Sequence, residues 1–179
     1  YRFKRDWFSH RYRVRGDYII LKRPGETEER AYRWLACRRF GTCDGAASAK
    51  QSACFTVAGA WLQTPRHELV LLDAIRFQAE IPEQVAPIQK LYDDWKLAFM
   101  GIEAVASNVG LLQLAARTRM VVRRLNPMGQ DKLIRATQAL VLAESGRIWL
   151  PEPGVRPGMP LAAIETELLL VTGGAKADD

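Results

Sequence analysis

The order of segments in this chain predicts an α/β fold, a mixed five-stranded sheet of three antiparallel strands followed by parallel β-α-β units, flanked by helices. Two observations predict it. Up to about residue 77, aromatic and β-branched residues alternate with polar ones between turn signals, the period-2 signature of strands. After Pro82 the period changes: Val85, Ile88, Leu91, Tyr92, Trp95, Ala98 and Phe99 recur at helical spacing, and short apolar segments then alternate with amphipathic ones. Parallel strands need crossover helices, which cover the sheet.

Taken in order, residues 12–14 and 17–21 around Gly16 read as a hairpin or edge strands, and Pro24-Gly25 as a turn. Residues 32–43 read as a strand that ends in a loop at Asp44, where Gly45 and the small residues to Ala49 break the pattern. Strands over 53–61 and 68–76, joined by a Gln-Thr-Pro-Arg turn, complete an antiparallel meander. Pro82 suits the first turn of a helix. A strand over 100–106 follows, then a helix over 109–117 capped by Asn108, a strand over 120–125, and a helix over 131–144 with Leu133, Ala136, Thr137, Leu140 and Val141 on one face. A short strand over 147–150, a Pro-rich loop and a final helix over 161–171 end the pattern. Residues 1–31 are expected to form a basic linker or hairpin, and residues 32–179 a single globular domain.

Composition is that of a globular chain, with 48% hydrophobic and 26% charged residues among 179. The net charge of +6 is unevenly placed: residues 1–43 carry 12 Lys/Arg against 5 Asp/Glu, and the remainder is nearly neutral. No apolar run approaches the roughly 18–20 residues of a membrane span, and no charged-then-apolar leader opens the sequence. Three cysteines without a CxxC pair, and two distant histidines, argue against a disulfide framework or a zinc site, so a reducing setting is expected. A start at Tyr1 without Met suggests a piece of a longer chain.

Chemistry concentrates in acids. Asp44 ends a strand, Glu103 lies inside the apolar run Met-Gly-Ile-Glu-Ala-Val-Ala, and Asp178-Asp179 follow Gly173-Gly174-Ala175. If the strand bearing Glu103 lies beside the one ending at Asp44, two carboxylates become neighbours, and burying them together needs a cation. Oxygen ligands without His or Cys favour Mg²⁺ or Mn²⁺. A third carboxylate from Asp178 or Asp179 would complete a two-metal site, in which one ion activates water and the other stabilises the leaving oxygen of an in-line phosphoryl displacement. Each acid also has a plainer reading: Asp44 as a turn residue, the terminal pair as a solvated tail. Glu103 is harder to place without a partner.

Other motifs fall short. Residues 45–52 lack the second Gly of a P-loop and carry Gln51 where Ser or Thr must hold the metal; no G-x-S-x-G elbow exists, and His10 and His67 lie in stretches that read as strand ends. Arg2, Lys4, Arg5, Arg11, Arg13 and Arg15 interleave with Trp7 and Tyr12, a face that either neutralises phosphates or contacts another domain. Arg117, Arg119, Arg123 and Arg124 bracket the strand over 120–125 and, with Lys50, are candidate DNA contacts.

The succession strand-Asp44, meander, helix, strand-Glu103, helix, strand, helix, Gly-Gly-x-x-x-Asp-Asp resembles the RNase H-like nuclease domain of the large terminase subunit of tailed bacteriophages, as does the opening Arg-Asp-Trp-Phe with Gly-Asp-Tyr-Ile-Ile. The resemblance spans nearly the whole chain. It implies a metal-dependent endonuclease, using two Mg²⁺ or Mn²⁺ ions, that cuts concatemeric double-stranded viral DNA in the host cytoplasm. Asp44, Glu103 and Asp178 or Asp179 would match its catalytic, metal-binding acids. It also implies as partners an ATPase domain of the same full-length chain, a small terminase subunit and a procapsid portal. The chain departs from the family pattern at Gln51 and Ser52, where members carry another acid, and at Ala177, where they carry His. Two alternatives stay open: another RNase H-like nuclease of resolvase or transposase type, and a non-catalytic DNA-binding or docking domain.

Overall fold

The computed structural model describes residues 3–47, 55–127 and 132–170. A 3-10 turn at Arg5–Phe8 precedes β1 (Arg11–Arg15) and β2 (Tyr18–Lys22), which pair antiparallel around Gly16 at φ 54°, a left-handed conformation that glycine adopts without strain. The expected single strand over 32–43 is two. β3 (Arg30–Arg33) pairs with β2; a 3-10 turn at Trp34–Ala36, anchored by the Trp34 amide donating to the Asp17 carbonyl at 2.8 Å, then redirects the chain into β4 (Arg38–Asp44).

The meander is built from β4, β5 (Thr56–Gln63) and β6 (Leu69–Phe77), all antiparallel. Helix α1 (Ile81–Asp94) carries Pro82 in its first turn and buries Gln84, Ile88 and Leu91 along one face. Then come β7 (Met100–Glu103), α2 (Val109–Ala115), β8 (Val122–Leu125), α3 (Lys132–Glu144), β9 (Ile148–Pro151) and α4 (Leu161–Leu170). Strands β7 and β8 run parallel to β4, as the crossover helices require.

Among the described residues the sheet has nine strands in the order β3-β2-β1-β9-β6-β5-β4-β7-β8, not the five expected. The difference comes from β9. It pairs parallel with β6 through Leu69↔Ile148 and Val70↔Trp149, and parallel with β1 through Arg11↔Leu150 and Tyr12↔Pro151, so the N-terminal hairpin continues the same sheet. A four-residue strand carries no sequence mark of its neighbours; its burial does that work, with Trp149 and Leu150 almost wholly enclosed.

Two cores result. One packs α1 and α2 on the sheet through Ile88, Leu91, Leu111 and Leu112 against Leu62, Leu72 and Ile102. The other gathers Phe3, Phe8, Leu71, Leu140, Leu150 and Ile164 beneath α3 and α4. No described helix is long and apolar enough to cross a membrane.

Candidate active site

Strand pairing brings Asp44 and Glu103 together. β4 and β7 are parallel neighbours in the register Gly41↔Met100, Thr42↔Gly101, Cys43↔Ile102, so the next position sets Asp44 beside Glu103 at the C-terminal ends of both strands. Adjacent strands lie about 4.8 Å apart. Alternation along β4 sends Cys43 into the core under α1 and α2 and leaves Thr42 and Asp44 on the other face. There both acids line one cleft of about 440 Å³, whose walls include Gly59, Ala74, Asn126 and Ile164. Asp44 is exposed and Glu103 half-buried. Thr42 accepts the Trp61 indole N–H at 3.1 Å, which fixes the cleft floor.

The close strand packing depends on small residues. A Cβ at Gly41 would meet the Met100 side chain at 2.5 Å, and one at Gly101 the Leu125 side chain at 2.8 Å. Burial, with a smaller contribution from the Asp44 charge, pushes the Cys43 thiol up to about 12. At pH 8 its thiolate fraction is on the order of one in ten thousand. Cys43 in the folded chain is therefore expected to resist iodoacetamide at pH 8, read by peptide mass spectrometry, and to react fully once unfolded. An unfolded thiol loses its proton near 9 while the folded one keeps it, so this group makes stability fall as pH rises above about 9.

Two fully buried polar residues, Thr56 and Gln84, hold the chain just beyond Asp44, and a third, Asn108, ties down the end of β7; the sequence singled out none of them for this purpose. Thr56 Oγ1 accepts the Ala46 amide at 3.1 Å. Gln84 Nε2 donates to the carbonyls of Ala46 at 2.8 Å and Ala79 at 3.0 Å. Asn108, expected as a helix cap, makes no side-chain cap; its Nδ2 donates instead to the Glu103 carbonyl at 3.0 Å, because β7 stops at Glu103 and a 3-10 turn over Ala106–Asn108 folds the side chain back onto the strand end. The only sequence signal was a polar residue at an apolar helical position, as at Gln84.

The other candidates are distributed differently. Asp178, Asp179 and Lys50 lie outside the described residues, and among the described residues no three of His, Cys, Asp and Glu cluster tightly enough to hold a metal. Arg119 lies ahead of β8, at the end of the sheet opposite the acids, and forms a forked pair with Asp93, Nε to Oδ1 at 3.2 Å and Nη2 to Oδ2 at 2.6 Å. The Arg123 guanidinium sits 4.0 Å from the Phe99 ring centroid. Arg124 lines a separate hollow of about 300 Å³ with Val109 and Leu112, and Arg117 follows the end of α2. The arginines therefore do not converge on the acid cleft.

A larger cavity, about 720 Å³, opens between α1, β6 and the loop at 156–160. Its acids are engaged, Asp73 by the Trp95 indole at 3.0 Å and Asp94 by Lys90 at 2.5 Å, and Arg156 donates to the Leu72 carbonyl at 3.1 Å. The paired carboxylates at the strand ends mark the 440 Å³ cleft as the chemically distinctive one.

No protein-family model matches the sequence, and no curated protein matches it. Solved structures do match. The large terminase nuclease from thermophilic phage G20c superposes with a TM-score of 0.58 at 14% identity over 90% of this chain and 75% of that one. The same nuclease with bound magnesium gives 0.58 at 14% over 90% and 74%, and with bound zinc 0.52 at 13% over 91% and 90%. At these identities the likeness concerns the backbone: this chain has the fold of the large terminase nuclease of phage G20c.

Proposed function

We propose that this chain is a divalent-metal-dependent DNA endonuclease of a viral genome-packaging machine, acting in the host cytoplasm on concatemeric double-stranded DNA by two-metal phosphodiester hydrolysis. The observation that carries the reading is the Asp44–Glu103 pair, set side by side at the mouth of a cleft in a fold shared with a nuclease solved with bound magnesium and zinc.

The donor set fits a hard cation. Both side chains offer oxygen, and the neighbouring Cys43 is buried in the core under α1 and α2. Asp44 and Glu103 would hold Mg²⁺ or Mn²⁺, with Asp178 or Asp179 as the third acid. Bound ions would supply activation of water and charge stabilisation at the leaving oxygen. The protein's own part is to keep the two carboxylates close despite their repulsion, which the rigid pairing of β4 with β7 accomplishes, and to leave room for a backbone phosphate at the small residues Gly59 and Ala74. Arg117, Arg123, Arg124 and Lys50 are proposed DNA contacts. Arg119 would have to exchange Asp93 for phosphate. An ATPase domain of the same full-length chain, a small terminase subunit and a portal are the proposed partners.

Supercoiled plasmid incubated with the chain and Mn²⁺ is expected to be nicked and linearised, with little preference for sequence or structure. Strong selectivity for four-way junctions would favour a resolvase-type enzyme. Salt-sensitive DNA binding without cleavage under any divalent ion would favour a binding domain.

A further inference from the structure

We propose that Asn108 is a positioning residue that sets the spacing of Asp44 and Glu103 by holding the backbone beside each of them. The inference rests on Asp44 and Glu103 being a metal-binding pair. Asn108 is fully buried, and one side chain reaches both strand ends. Its Nδ2 donates to the Glu103 carbonyl at 3.0 Å, tying down the last residue of β7. Its Oδ1 is buried, finds no hydrogen-bond partner among the described residues, and lies 2.8 Å from where a Cβ on Gly45 would stand. The residue directly after Asp44 thus rests on the Asn108 amide, with Leu111 closing the same space at 2.7 Å.

The opposite side of that turn is clasped by Thr56 and Gln84 through the Ala46 amide and carbonyl. The turn after Asp44 is thus bonded on one side by Thr56 and Gln84 and met on the other by Asn108 and Leu111. A buried amide with an unsatisfied acceptor costs free energy, and an apolar residue of similar volume would avoid that cost. The polar group does what leucine cannot: it bonds the Glu103 carbonyl. Groups that hydrogen-bond a metal-holding side chain directly are worth about 10–100-fold in metal affinity, and a bond to that residue's backbone carbonyl, one step removed, is expected at the lower end.

The test compares Mn²⁺ affinity, by titration calorimetry with Mn²⁺ alone, and hydrogen exchange of the metal-free chain over residues 41–47 and 100–105. Asn108→Leu keeps the volume and removes the bond; it is expected to stay folded, bind Mn²⁺ about tenfold more weakly and exchange faster in both segments. Leu72→Ala, a core substitution away from the cleft, is expected to lower the melting temperature more while leaving Mn²⁺ affinity within about twofold. Gly45→Ala is expected to weaken Mn²⁺ binding in the wild-type background and to add little to Asn108→Ala, a non-additive cycle. If Asn108→Leu fails to fold, Gly45→Ala carries the same expectation with Asn108 in place. Unchanged Mn²⁺ affinity and exchange in Asn108→Leu, or strict additivity in the cycle, overturns the role of Asn108 while the metal pair stands. Absence of Mn²⁺ binding by the wild type overturns the metal pair itself.

Discussion

Asp44→Ala is expected to lower Mn²⁺-dependent nicking of supercoiled plasmid at least about a thousandfold while leaving the chain folded. Metal assistance contributes several kcal/mol of transition-state stabilisation, and each 1.36 kcal/mol is tenfold in rate. Alanine preserves the backbone pairing of Asp44 with Val57. Its side chain is exposed, and removing it also relieves repulsion from Glu103, so stability is expected to change by less than about 1 kcal/mol. Glu103→Ala is expected to lose as much activity, and the double variant little more than either single one, because groups that act as a unit are not additive. Gel analysis of plasmid forms over time, beside a urea unfolding curve for each variant, makes the comparison. Undiminished cutting by folded Asp44→Ala would remove the acid pair from the mechanism.

The largest effect on stability is expected at the junction of the sheet. Trp149→Ala should cost about 3–5 kcal/mol in urea unfolding, the range for deleting a fully buried aromatic side chain. Trp149 stands on β9, the only link by strand pairing among the described residues between the N-terminal hairpin and the meander, and its ring centroid lies 5.2 Å from that of His10 in a T-shaped arrangement and 5.8 Å from the Arg30 guanidinium. Trp149→Phe is expected to cost much less, under about 2 kcal/mol, because the buried indole N–H finds no hydrogen-bond partner among the described residues. A cost below about 1 kcal/mol for alanine would show that the hairpin and meander do not depend on β9 packing.

Much of the fold was legible in local pattern. Alternation marked β5 and β6, helical spacing after Pro82 marked α1, and short apolar runs marked β7, β8 and β9, because burial of one face imposes a period that residue types record. The split of residues 32–43 into β3 and β4 was not legible: the Trp34–Ala36 turn depends on a hydrogen bond to Asp17, supplied by a strand before it in the chain. Of the proposed site, Glu103 stands out in sequence because an acid in an apolar strand needs a reason, and Asp44 because it closes a strand. Thr56, Gln84 and Asn108 look like ordinary polar residues in sequence; their bonds to the backbone at Ala46 and Glu103 appear only in the folded chain. Arg119 shows the reverse case, a basic residue that reads as a phosphate contact and is engaged by Asp93.

By itself the sequence determined most of the strands and helices, the positions of the two acids on strand ends and the apolar surfaces that had to be covered, since these follow from periodicity, turn chemistry and side-chain type. Only the tertiary structure decided which strands are neighbours. Strand pairing joins residues far apart in the chain through backbone groups common to every residue, so the insertion of β9 between β1 and β6, and the register that puts Asp44 beside Glu103, leave no local mark.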